Sequence, residues 1–189
     1  TPLSLQLLGG FRLLTDREPV ELTQTAQRMV ALVALSGRLS RSRIAGTLWP
    51  DLSDRRATGC LRTGVWRVNQ AAAGLLTATR TAVELNPGVA LDVRQYVTAA
   101  AASMRSGGST PAMDAEALTR YEGELLPDWD EEWLLPDRER LRQLRLHLLE
   151  QEAGRLADAG HYGQALEVAF AALSADPHRE SVYRRIIGI

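Results

Sequence analysis

Apolar and polar positions alternate at the start of the chain. Leu3, Leu5 and Leu7 are separated by Ser4 and Gln6, the period of a half-buried strand. Gly9 and Gly10 interrupt the alternation, Phe11 to Leu14 resume it, Asp16 and Arg17 supply a turn, and Val20 to Leu22 predict a third short strand. A small antiparallel sheet is expected. The period then becomes helical. Ala26, Met29, Val30, Val33 and Ala34 follow Thr23, a candidate cap, and Gly37 ends the helix. Ser40 caps the next one, its hydroxyl accepting a backbone N–H, with Leu39 set to pack on Ile44. Ile44, Ala45, Leu48 and Trp49 give that helix an apolar side, and Pro50 stops it.

A third helix starts at Asp54, after the loop from Pro50 to Ser53. At about 100° per residue, Ala57, Leu61, Gly64, Val65 and Val68 share one narrow side, and Arg55, Arg56, Arg62, Thr63, Trp66 and Arg67 take the other. Past Gly74 strands return. Leu75 and Leu76 come first, then a polar turn from Thr77 to Thr81, then Val83 and Leu85. Asn86 to Gly88 turn again, and Val89 to Val93 predict a last short strand. A hairpin directly after an arginine-bearing helix is the layout of a wing.

From about Asp92 the pattern is helical throughout. Tyr96 to Met104 is alanine-rich, Ser106 to Ser109 is a flexible break, and Asp114 to Tyr121 is a short helix. Leu125 to Trp133 is acidic and carries two tryptophans. Leu141, Leu144, Leu148, Leu149 and Leu156 mark one face of a long helix that Gly160 breaks. Tyr162, Ala165, Leu166, Ala169, Ala172 and Leu173 mark the next, ended by Asp176 and Pro177, and Glu180 to Ile187 begin another.

Composition sharpens this division. The chain has 189 residues, 45% hydrophobic and 24% charged, the balance of an ordinary globular protein. Its net charge of −1 hides an asymmetry: residues 1–98 carry twelve arginines against seven carboxylates, and residues 99–189 ten against sixteen. The basic front suits a polyanion and the acidic back a different partner. Every basic residue is arginine, which offers a bidentate fork to phosphate and guanine. A GC-rich coding sequence explains the global bias, so only the clustering of arginines carries functional weight. Cys60 is the one cysteine, which rules out an intrachain disulfide. No membrane-length apolar run and no signal peptide are visible, so a cytoplasmic location without membrane partners is expected.

Catalysis finds no support. His147, His161 and His178 fit no metal spacing, and there is no glycine-rich phosphate loop or serine elbow. No cofactor and no metal are expected. The arginine-bearing helix instead fits a DNA major groove. An exposed arginine face alone reads first as a solvated surface, but the preceding helix, the turn and the hairpin favour DNA contact. The candidate DNA-binding residues are Arg55, Arg56, Arg62, Thr63, Trp66 and Arg67, with Arg80 at the hairpin tip and Arg41 and Arg43 at the start of the middle helix. Thr58 is assigned to the core boundary. For Trp66 two readings stand: packing along the sugar–phosphate edge, or covering the base of the hairpin.

The residues also carry a resemblance. LLGGFRLL (7–14), QRMVALVALSG (27–37), RSRIAGTLWPD (41–51), LR with VWRV (61–68), VALDV (89–93) and YEGELLPDWDEEW (121–133) resemble the SARP family of bacterial transcriptional activators. The resemblance implies an α+β winged helix-turn-helix of the OmpR type at residues 1–93, followed by an all-α, tetratricopeptide-like bacterial transcriptional activator domain at 94–189. Leu149 to Pro177 fits one tetratricopeptide unit, and the pattern breaks off inside a further one, so the natural protein is expected to continue. Cys60, Trp66 and Asn69 depart from the family's pattern on or beside the reading face.

The resemblance further implies binding to promoter direct repeats of antibiotic or secondary-metabolite genes, with protomers head to tail and RNA polymerase holoenzyme as partner. Asp51 and Asp54, before the arginine-bearing helix, are the implied polymerase contacts; the stretch of Trp129 and Trp133 is a second docking candidate, although fastening the two domains together is the better expectation for it. The rival function is a helical-repeat scaffold for a peptide or effector, with a winged domain that does not bind DNA. A third is a regulator that senses a ligand through a further domain.

Overall fold

The computed structural model describes residues 2–105, 123–176 and 180–188, apart from the Arg185 side chain. The break and short helix expected between Ser106 and Tyr121 lie outside these residues. The chain divides into two compact units, residues 1–93 and 94–189.

In the first unit, β1 (Leu3–Gln6) pairs antiparallel with β2 (Arg12–Thr15), placing Leu5 opposite Leu13 in the core. Asp16 and Arg17, at φ of 51° and 71°, form the left-handed two-residue turn that matches strand twist. This tight turn brings Glu18 directly opposite Thr15. The third strand, β3 (Glu18–Pro19), therefore lies two residues ahead of the expected Val20–Leu22. The strand expected at Val89–Val93 contracts to β7 (Ala90–Leu91), which pairs parallel with β1 and completes a sheet of order β3-β2-β1-β7.

Helix α1 (Gln24–Ser36) is buried almost all round, because it packs on both following helices and on the hairpin. It ends at Gly37, whose φ of 74° glycine adopts without strain. Helix α2 (Arg41–Leu48) is capped as expected, the Arg43 N–H donating to Ser40 Oγ at 3.2 Å. Leu39 and Ser40 also form strand β4, and pair with Val83 and Ala82 of β6 (Ala82–Leu85). Strand β5 (Leu76–Ala78) pairs with the other edge of β6. Thr77 and Ala78 thus belong to a strand, and the predicted polar turn shortens to Thr79–Thr81. Between α2 and the hairpin lies α3 (Asp54–Ala71), packed on both earlier helices.

The second unit is helical: α4 (Asp92–Arg105), which crosses the boundary, then a 3-10 turn (Glu132–Leu134) leading into α5 (Leu135–Asp158), α6 (Tyr162–Ala175) and α7 (Glu180–Gly188). Helix α5 buries Leu146 and Ala153 as well as Leu141, Leu148, Leu149 and Leu156, so its apolar surface is wider than the single predicted face. Helix α6 meets it through Ala165, Ala169 and Ala172, small residues that let the helices approach closely; Tyr162, predicted inward, is exposed. Arg138 fastens the acidic stretch to α5. Its guanidinium donates to the carbonyls of Leu125 at 2.9 Å, Trp129 at 2.7 Å, and Leu126. Nearby, the Trp133 indole donates to Glu131 at 2.7 Å.

Candidate nucleic-acid interface

Helix α3 is held by its apolar side. Ala57, Leu61, Val65 and Val68 are buried, and Gly64 lets α1 come close: a Cβ there would stand 3.3 Å from both Sδ and Cε of Met29. The opposite side is open. Arg55, Arg56, Arg62, Thr63, Trp66 and Arg67 are all exposed. Among the described residues none of these six has a side-chain hydrogen bond or ion pair, so the guanidiniums keep their full donor sets. Thr58, assigned to the core boundary, is exposed too, because it lies a further 100° or so beyond Ala57 and clears the narrow apolar stripe. Gly59 and Gln70 share the outward side. The same periodicity carries them there, although neither is a chemically conspicuous residue. Trp66 is 62% exposed, which removes its reading as hairpin core.

Asn69 has a different task from its neighbours. Its amide donates to the Leu76 carbonyl at 3.1 Å and accepts from the Leu76 N–H at 3.2 Å. This two-bond clasp fixes the last turn of α3 to the first residue of β5, and takes Asn69 off the outward face.

The hairpin tip is similarly braced. Thr79 Oγ1 accepts from the Ala82 N–H at 3.0 Å, and the Thr79 N–H donates to the Ala82 carbonyl at 2.8 Å. Arg41, expected at a phosphate, also binds the tip: its Nε donates to the Thr79 carbonyl and its backbone N–H to the Thr81 carbonyl, both at 2.9 Å. Arg80 stands exposed between these anchored residues, with no hydrogen bond or ion pair among the described residues. Arg43 is exposed on the first turn of α2. Asp51 and Asp54 are exposed in and just after the α2–α3 turn. That turn is closed by the Leu52 N–H donating to the Trp49 carbonyl at 3.2 Å.

A groove of about 710 Å³ runs along one flank of α3, between Arg56, Cys60, Thr63 and Arg67 on the helix and Thr23, Trp49 and Leu52 across from it. Outside the interface, Asp92 ties the chain just past β1 to the start of α4. One of its carboxylate oxygens accepts the N–H groups of Leu7 and Leu8, each at 2.9 Å, and the other that of Val93 at 2.7 Å. Burial pushes its carboxyl above the ordinary 3.8, against the opposing pull of these bonds.

This assembly defines a class: a sheet-bearing unit that presents an arginine-studded helix and a braced hairpin, followed by a helical unit. A family model described as the bacterial transcriptional activator domain matches residues 90–188, more than half of the chain. The chain belongs to that family, in keeping with its resemblance to SARP-type bacterial transcriptional activators. Among solved structures it is similar to Mycobacterium tuberculosis EmbR in complex with a low-affinity phosphopeptide, at 17% identity and a TM-score of 0.78. That likeness covers 98% of this chain and 54% of EmbR, so the chain spans about half the length of the protein whose fold it shares. No curated protein matches it. No helix of the described residues is long and apolar enough to cross a membrane.

Proposed function

We propose that the first unit is a winged helix-turn-helix that binds duplex DNA in a sequence-specific manner, and that the chain acts as a transcriptional activator. One observation carries the reading: a helix seated by its apolar side turns Arg55, Arg56, Arg62 and Arg67 outward with no partner among the described residues. Helix α3 enters the major groove and the β5–β6 hairpin places Arg80 at the adjacent minor groove. Arg43 is free to meet a phosphate, and Arg41 acts indirectly by holding the wing tip. Asp51 in the α2–α3 turn and Asp54 just after it face RNA polymerase holoenzyme. The family resemblance supports direct-repeat promoters of antibiotic or secondary-metabolite genes, with two protomers head to tail.

Duplex retention at two salt concentrations tests this. Neutralised phosphates release counterions, so a steep inverse dependence on salt is expected. Arg62→Ala weakens binding by about 1–3 kcal/mol if it reads a base, and lowers the salt slope by about 1 if it holds a phosphate. Unchanged binding at both concentrations removes Arg62 from the site.

A second reading has its own observation. The helical unit leaves Tyr162, Phe170, Tyr183 and Ile187 exposed, an apolar display suited to a peptide. A chain that shows no salt-dependent duplex retention, yet binds peptide, favours that scaffold.

A further inference from the structure

Trp66 is out of character with its side of α3. It is a large apolar ring, 62% exposed, where the other outward residues are cationic, polar or small. Arg62 lies four residues before it and Thr63 three, so all three side chains are neighbours on the helix surface. The backbone beneath the ring is firm. Val65 and Val68 are buried beside it, and the Asn69 clasp on Leu76 pins the following turn. The indole is therefore presented on a rigid support, facing the same way as the arginines.

A duplex offers such a ring few favourable places. Along the sugar–phosphate edge the phosphates reward cations, of which an indole neutralises none, and contact with the sugars favours every sequence alike. The base edges in the major groove are hydrogen-bonding groups with one apolar exception, the C5-methyl of thymine. The indole has a single N–H donor and no acceptor, so hydrogen-bond readout of a base edge leaves most of its surface without a use. Covering a methyl group uses that surface.

We infer that Trp66 is a specificity-determining residue for thymine: its ring packs on a thymine methyl in the major groove, about one helical turn along α3 from the contact of Arg62. This rests on the duplex-binding reading above. It goes beyond that reading by naming a base and the chemical group that is recognised.

The test begins with selection of duplexes from a random library by the full 189-residue chain. In the selected site each thymidine is then replaced singly by deoxyuridine, which removes only the methyl group. Loss of one methyl contact corresponds to a roughly fourfold rise in Kd. Wild-type protein is expected to show that loss at one or two positions. Trp66→Ala is expected to bind thymidine and deoxyuridine duplexes equally, Trp66→Phe to keep part of the difference, and Trp66→Ala to retain the wild-type salt slope.

Wild-type binding indifferent to deoxyuridine at every position overturns the inference and leaves the duplex reading standing. A Trp66→Ala protein that keeps the full thymidine preference also overturns it. If no duplex is enriched, the DNA-binding reading itself fails and the thymine inference with it.

Discussion

At the scale of single residues, polar side chains that bond to the backbone hold the presenting surfaces in place. Asp92 joins the end of β1 to the start of α4 through three N–H groups. Asp92→Ala strands the Leu7 and Leu8 N–H groups and is expected to cost about 1–3 kcal/mol for each one left unsatisfied. Asp92→Asn keeps an acceptor and costs less. The pH dependence has a definite sign. Burial raises the folded carboxyl above 3.8, so the folded state holds the proton more tightly than the unfolded chain. The associated stability is fully present below the unfolded value and is lost as pH rises through the raised folded value. Urea unfolding on either side of that window is expected to show wild-type protein losing stability with rising pH relative to Asp92→Asn. Parallel curves remove the carboxyl from the account.

Residue chemistry alone does not reveal such bonds. Arg41, expected at a phosphate, and Asn69, expected on or beside the reading face, both bond to the hairpin. Main-chain carbonyls have no signature in a sequence, so a side chain that will find one cannot be told from a side chain left in water.

Elements divide the labour differently. Helix α3 was legible from its period, since the narrow stripe from Ala57 to Val68 leaves a single way to seat it. The hairpin was legible as a hairpin, but its bracing was not. Arg41 and Arg80 separate the two roles. Arg41→Ala removes the bond to Thr79 and is expected to cost about 0.5–1.5 kcal/mol of stability and to speed amide exchange at Thr81 and Ala82. Arg80→Ala is expected to leave stability within about 0.5 kcal/mol of wild type while lowering the salt slope of duplex binding by about 1. The reverse pattern exchanges the roles assigned to them.

On the scale of the molecule, the basic and acidic halves of the sequence correspond closely to the two compact units. Each unit has its own core, and a core substitution is expected to report on its own unit. Leu61→Ala undermines the seat of α3, and Leu146→Ala opens the centre of α5; both residues are fully buried, and each change is expected to cost about 2–5 kcal/mol. Thermal unfolding reads both losses. Duplex binding at low temperature is expected to weaken for Leu61→Ala and to hold for Leu146→Ala. Equal loss of binding in both removes the division of tasks.

The sequence by itself determined the order of the helices and longer strands among the described residues, the buried side of α3 and the outward arginines, because hydrophobic period is a local property that neighbouring residues express. Tertiary structure alone decided three further points: that β7 joins β1 rather than the hairpin, that Arg41 and Asn69 serve the hairpin, and that Trp66 stays in solvent. The first two depend on which distant backbone groups are left over for pairing once the helices have packed, the third on whether the hairpin reaches over the ring, and no spacing along the chain encodes either.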